Sequence, residues 1–259
     1  MVGALMDIGA VFGRWRTWFL MASQDIRMRY RRSLIGPFWL SISMAMTVVG
    51  MALVFGNVFE RTFQEYLVFL SAGFLIWGFI SLMINEGCTI LVEAENHLRA
   101  VPLPVSVLAA RMVQRNVVIF LHNAVVIAAL VAIFGFTPTI NLLFVIPGVV
   151  LLTAFGFFLA LVLGPICLRF RDVTQVVGSL LQLAFFLTPI IWMPDQGRVP
   201  EAFVTFNLFF HMIELVRAPI QGAAPTTLNW LVVGGGLWVL MALSVVTLAA
   251  ARKHIYTWL

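Results

Sequence analysis

Apolar residues along this chain run in long blocks separated by short polar breaks. A helix needs about 20 apolar residues to cross roughly 30 Å of hydrocarbon. Six blocks meet that requirement, at about 36–59, 66–84, 115–136, 141–168, 173–193 and 228–251. The fourth contains Gly164-Pro165, and because proline removes a helix hydrogen bond, a kink or an early end is expected there. Along the same block Gly156, Ala160 and Gly164 recur every four positions, which predicts a face that lets another helix come close. The segment before the first block has a different pattern. Ile8, Val11, Phe12, Trp15, Phe19 and Ala22 fall at helical spacing, with Arg14, Thr17 and Gln24 elsewhere on the wheel. This predicts one amphipathic helix or two short ones. Tryptophans beside arginines suit a helix lying among lipid headgroups, and a soluble docking helix is the other reading.

Composition makes the bilayer part of the solvent. Of 259 residues, 62% are hydrophobic and 10% charged, against roughly 25% charged in a soluble domain. The expected fold is therefore an all-α integral membrane protein with six transmembrane helices. It forms a single domain over 1–259, with an interface helix in 1–33 and a six-span region in 34–259. The first 32 residues do not read as a cleavable signal, because the apolar stretch at 15–22 is short and interrupted. Residue 2 is Val and the chain ends Tyr256-Thr257-Trp258-Leu259, so neither end matches a lipidation signal.

Charge predicts the orientation. With the N-terminus in the cytoplasm, thirteen of the sixteen basic residues fall inside and only Arg61, Arg198 and Arg217 outside. The acids divide almost evenly and do not contest this. An even number of spans returns the C-terminus to the cytoplasm. The net charge of +5 comes largely from arginines flanking spans, so nucleic acid is not an expected partner. Cys88 and Cys167 are the only cysteines and read as small buried residues. Two segments between spans exceed simple turns, a cytoplasmic one at 86–114 and an external one at 194–227, and long connections tend to carry function.

The search for chemistry returns mostly exclusions. A phosphate-binding loop needs a Gly-Lys pair after a strand, but the one lysine is Lys253, preceded by Arg252. Any ATP-driven work must therefore come from another subunit, and no cofactor or metal is expected on this chain. A membrane-embedded acyl- or glycosyltransferase would cluster acids or histidines at one face, whereas His97, His122, His211 and His254 are scattered. Within the blocks, His122, Asn123 and Gln182 are polar groups expected to face protein, His122 through a helix–helix hydrogen bond. Phe38, Trp39, Trp77, Phe185, Phe186 and Trp192 are candidates to line a path, since contacts on aromatic rings are weak enough to permit sliding. Interfacial belts and ordinary packing are the competing reading. In the first long segment, residues 89–99 predict a short helix with Ile90, Leu91 and Ala94 on one face and Glu93 and Glu95 at the sides. Such a helix is either a plug for a partner's groove or a helix resting on the inner leaflet.

Three runs carry a resemblance. Arg29-Tyr30-Arg31-Arg32-Ser33 precedes Gly36-Pro37-Phe38-Trp39. Leu168-Arg169-Phe170-Arg171-Asp172-Val173 is followed by Leu181-Gln182 and Leu187-Thr188-Pro189. Asn207 leads through His211-Met212-Ile213-Glu214-Leu215-Val216-Arg217 to Gly222. In that order they resemble ABC-2 type permeases that export polysaccharides, although Leu208 stands where that family usually has proline. The resemblance implies a homodimer of six-span subunits, each paired with a separate ATPase. It implies that the N-terminal helix (Arg27, Arg29, Arg31, Arg32) and the loop bearing Glu93, Glu95 and Arg99 meet that ATPase. It implies short reentrant helices between spans five and six, with Asn207, His211, Glu214 and Arg217 at the outer gate. The implied cargo is a lipid-linked polysaccharide, O-antigen first, then capsule or teichoic acid. Export of small hydrophobic molecules is the alternative. The expected location is the cytoplasmic (inner) membrane.

Overall fold

The computed structural model describes residues 1–31, 38–56, 58–101, 103–134, 139–194 and 201–258, and among these helix is the only regular secondary structure. Two helices, α1 (Val2–Gly13) and α2 (Trp15–Arg29), meet at Arg14, so the N-terminal segment takes the two-helix form. Then follow α3 (Phe38–Phe55), α4 (Phe63–Glu93), α5 (Glu95–Ala100), α6 (Val105–Ile133), a 3-10 turn at Ile140–Phe144, α7 (Val145–Arg169) and α8 (Asp172–Leu187). Two short helices, α9 (Glu201–Thr205) and α10 (Leu208–Ile220), lead to α11 (Thr227–Ala251) and α12 (Ile255–Trp258).

Four of these stretches are long and apolar enough to cross a membrane: Phe63–Glu93, Val105–Leu130, Ile140–Arg169 and Thr227–Ala251. The other two expected blocks form shorter apolar helices, α3 of 18 residues and α8 of 16, or about 27 and 24 Å at 1.5 Å per residue. The expected long loop at 86–114 is a correction. Helix α4 runs on to Glu93, α6 already begins at Val105, and α5 fills much of the interval. The helices outlast the apolar blocks because their polar ends find partners within the protein. Ile90, Leu91 and Ala94, expected on one face of a separate short helix, are instead buried within this chain at the end of α4 and just beyond it.

Helix α4 is the centre of the bundle, packing on α7, α6, α3, α10 and α8. Its start is capped by Thr62, whose hydroxyl accepts from the Glu65 backbone N–H at 3.3 Å, the Thr-x-x-Glu pattern of a capping box. Its crossing with α7 is closed by the small residues that the four-residue spacing predicts. A Cβ on Gly87 would lie 3.2 Å from Ala160 Cα, and one on Gly164 2.7 Å from Ile90 Cγ2. One on Gly156 would lie 2.4 Å from Met83 Sδ.

Pro165 does not end α7, which continues to Arg169. The proline leaves the Leu161 carbonyl without its i+4 donor. The Thr247 hydroxyl of α11 lies 3.4 Å from that oxygen, one of three carbonyls its proton can reach. Only one turn follows the proline, so a single lost bond near a helix end is tolerated.

The ends of the bundle are chemically distinct. At one end lie α1, α2, α5, α12 and the α7–α8 turn. Here the Asp7 carboxylate accepts from the Val105 and Ser106 N–H groups at 3.3 and 3.0 Å, capping α6 from outside its own chain segment. The Arg169 guanidinium lies 5.0 Å from the Trp258 ring centroid. At the other end, Phe63 meets Phe134 and Asn141 Nδ2 donates to the Gly222 carbonyl at 2.7 Å. Gly222 closes α10 with φ +89°, a conformation that favours glycine.

Candidate functional site

The first site is an ionic cluster that fastens α2 to α4 and α6. Asp25 of α2 receives Arg111 Nε and Nη2, both at 2.6 Å, and Arg115 Nη1 at 3.3 Å. Glu86 of α4 receives Arg115 Nη2 at 2.7 Å, Asn116 Nδ2 at 2.9 Å and Arg29 Nη2 at 3.3 Å. The Arg111 pair is bidentate, the geometry in which guanidinium and carboxylate bind best. The two central arginines and two acids are at most 18% exposed. Such a pair is costly to break from one side, because the surviving charge stays buried. The cluster rims a small cavity of about 110 Å³ whose lining includes Glu93 and Ala94.

Of the residues expected to meet an ATPase, Arg29 belongs to this cluster through Glu86. Arg27 and Arg31 are exposed beside it. Glu93 Oε1 accepts from the Thr89 hydroxyl at 2.6 Å, and Arg99 Nε donates to Glu95 at 3.0 Å along α5. Arg32 lies outside the described residues. Asp25, Arg111 and Arg115, which organise the cluster, were not singled out by the sequence.

The second site lies at the opposite end, where the chain leaves α8 and returns through α10. Three side chains hold that turn. Asn207 Nδ2 donates to the Leu187 carbonyl (3.3 Å) and the Thr188 hydroxyl (3.1 Å), while its Oδ1 caps α10 at the Phe210 N–H (3.1 Å). Arg217 Nη1 donates to the Pro189 carbonyl at 2.5 Å. The Tyr66 hydroxyl donates to the Ile191 carbonyl at 2.7 Å. Arg217 is only 1% exposed. Its Nε and Nη2 both pair with Glu214, and its guanidinium lies 4.2 Å from the Phe69 ring centroid, within cation–π range. The ring nitrogens of His211 lie 2.8 Å from Asn229 Oδ1 and from the Thr205 carbonyl. Of the four residues expected at an outer gate, Asn207, Arg217 and its partner Glu214 meet at this turn with Tyr66, which the sequence did not single out, whereas His211 bonds Asn229 of α11 and the end of α9.

The aromatic candidates divide. Trp77 and Phe185 pack together at 5.6 Å, and Trp77 also meets Phe209 at 5.4 Å, so Trp77 is a buried packing residue. Phe38, Trp39 and Phe186 are 43%, 56% and 62% exposed. Trp192 is half-buried, its Nε1 donating to the Phe186 carbonyl at 3.1 Å. His122 bonds its own helix at the Val118 carbonyl (2.7 Å) and packs edge-on against Phe38. The helix–helix hydrogen bond expected of His122 is instead made by Asn123, which accepts from the Ser41 hydroxyl of α3 at 2.5 Å. Gln182 is exposed on α8.

An all-helical bundle with several membrane-length apolar helices, tied at one end by a buried ionic cluster, is a multi-pass membrane protein. A family model described as ABC-2 type transporter matches residues 16–220, and the chain belongs to that family. The family is one of transport subunits that work with an ATP-binding partner. The chain is similar to the "O-antigen export system permease protein RfbA" of Myxococcus xanthus, 28% identical over 174 residues, 66% of each protein. It is also similar to the RfbA of Klebsiella pneumoniae, 24% identical over 198 residues, 75% of this chain and 76% of that one. The chain thus spans just under two thirds of the Myxococcus relative's length and about three quarters of the Klebsiella one.

Proposed function

We propose that this chain is the membrane subunit of an ATP-driven exporter that moves a lipid-linked polysaccharide, O-antigen foremost, across the cytoplasmic membrane. In this reading α3 and α8 join the four longer helices as spans, both termini lie in the cytoplasm, and α9 and α10 form the reentrant outer gate. Two copies of the chain pair with two ATPases, which hold the ATP and magnesium. Arg27, Arg29, Arg31, Arg32, Glu93, Glu95 and Arg99 face the ATPase. Phe38, Trp39, Phe186 and Trp192 offer rings to the passing sugar, with Trp77 and Phe185 packed behind them.

The ionic cluster carries the mechanical part of this reading. It makes α2 one rigid body with the ends of α4 and α6, so a push on α2 reaches two spans directly. The relatives' names carry the cargo. Deleting the gene should leave lipid-linked glycan on the inner face of the membrane, and restoring it should move the glycan outward. The tagged permease should co-purify with an ATPase, and changing that ATPase's catalytic base should stop export. Undiminished export in the deletion strain would sink the assignment. Build-up of a small hydrophobic compound in place of glycan would favour the drug-exporting alternative.

A further inference from the structure

An apolar groove of about 590 Å³ runs beneath the bend between α1 and α2. Val11, Phe12 and Trp18 form one wall, and Val118 of α6 with Ala154 and Phe157 of α7 form the other. The second wall is built from two membrane-length helices, so the groove lies at the depth of acyl chains. Its polar end is marked by Gln114, one turn along α6 from Arg111 of the ionic cluster. Gln114 lines the groove, and its Oε1 is buried without a hydrogen-bond partner.

The bend above the groove carries two cations. Arg14 and Arg16 stand at the bend, both exposed, with Arg16 lying 5.4 Å from the Trp15 ring centroid. Among the described residues neither has an acidic partner. The two acids of α1 and α2 are engaged elsewhere, Asp7 at the start of α6 and Asp25 with Arg111 and Arg115.

We propose that this groove is a binding site for one anionic, glycerol-headed phospholipid of the inner leaflet. One acyl chain lies along the apolar walls, the phosphate sits on Arg14 and Arg16, and the headgroup hydroxyl donates to Gln114 Oε1. An apolar wall, two cations without an acidic partner and one acceptor without a donor, all among the described residues, match the three parts of that lipid. A zwitterionic choline lipid lacks both the net charge and the donor. A protein helix seated here would have to displace lipid from the flank of α6 and α7. The lipid would fasten α1 and α2, and with them the cluster at Asp25, to the bilayer, so membrane composition would bear on docking. The inference rests on the proposed placement of α1 and α2 at the inner face.

The test uses the full-length permease in nanodiscs of phosphatidylcholine with a minority of phosphatidylglycerol. The protein is extracted into lipid-free detergent and the retained lipid identified by native mass spectrometry. The wild type should keep phosphatidylglycerol in preference to phosphatidylcholine. The double variant Arg14→Ala/Arg16→Ala should keep on the order of tenfold less. Ala154→Trp should also lose the lipid with both arginines intact, and Val118→Phe is a second groove-filling variant should the first not fold. Equal retention in wild type and variants, or no preference between the two lipids, overturns the site. A Phe12→Cys variant separates this from the placement. Labelling by an impermeant maleimide from the outer face would overturn the orientation and the site together. Labelling only from the inner face, with no lipid retained, would overturn the site alone.

Discussion

Adding one methyl group at two glycines of α7 should have effects opposite in order to the severity of their clashes. At Gly156 a new Cβ would lie 2.4 Å from Met83 Sδ and 2.8 Å from its Cε; at Gly148 it would lie 2.9 Å from the Leu215 carbonyl oxygen. The shorter contact is the milder one. Methionine has three rotatable side-chain bonds and can swing its end away, whereas the Leu215 carbonyl belongs to the backbone of α10 and moves only with that helix. Alanine gains about 0.8–1 kcal/mol over glycine in a helix interior, and overpacking costs about 1–3 kcal/mol. Gly156→Ala sits at the low end of that cost, so the two terms nearly cancel. Gly148→Ala sits at the high end and should destabilise by about 1–2 kcal/mol. Gly235, with nothing within 4 Å of its added Cβ, is the control and should be neutral or slightly stabilised. Thermal unfolding of the detergent-purified protein reads the order, at about 2–4 °C per kcal/mol by soluble-protein scaling. A drop for Gly156→Ala as large as that for Gly148→Ala would refute the distinction between flexible and backbone neighbours. A drop for Gly235→Ala would refute the packing argument altogether.

Arg217→Met should cost about 3 kcal/mol and raise hydrogen exchange over 188–192, since Glu214 and the Pro189 carbonyl both lose their partner. Arg217→Lys should recover only part of this because it keeps the charge but not the fork; full recovery would mean that charge alone matters. Asp25→Asn should cost about 2–3 kcal/mol, less than a fully isolated buried charge because Glu86 still neutralises Arg115, and should free α2 selectively in hydrogen exchange. Uniform loosening of the bundle would count against the cluster as the fastening. Trp77→Ala should cost about 3–5 kcal/mol as a buried ring, while Trp39→Ala should leave stability nearly intact and slow export of long glycans. Full-rate export in Trp39→Ala would show that this ring only packs. Charge reversal at Glu93 and Glu95 should uncouple ATP hydrolysis from export, and unchanged coupling would remove them from the docking surface.

The apolar blocks and the small-residue face of α7 were legible because each is a local pattern whose period or length has one physical meaning. Asn207, His211, Glu214 and Arg217 came together through the family resemblance, which could pick them out as one run because they lie within eleven residues of one another. The ionic cluster was not, since Asp25 and Arg111 are 86 positions apart and each, taken alone, looks like an ordinary flanking charge. The same cause hid the true lengths of α4 and α6. Apolar length measures what lipid requires, and a helix continues past it wherever partners such as Glu86 and Arg115 satisfy each other. An early helix end at Pro165 fails to appear for a related reason. The rule about its missing N–H is local, while the position of the helix end and the hydroxyl of Thr247 are not.

Helix α4 has one consequence for how force crosses the molecule. Tyr66 holds the turn after α8, and Glu86 holds the ionic cluster, twenty positions further along the same unbroken rod. At 1.5 Å per residue that is about 30 Å, so a tilt of about 5° around one end carries the other by between about 2 and 3 Å. That is enough to break or remake the hydrogen bond from Tyr66 to Ile191. A lever of this kind needs no chain of small side-chain rearrangements. What α2 feels at one end of the bundle, the turn after α8 would register at once at the other.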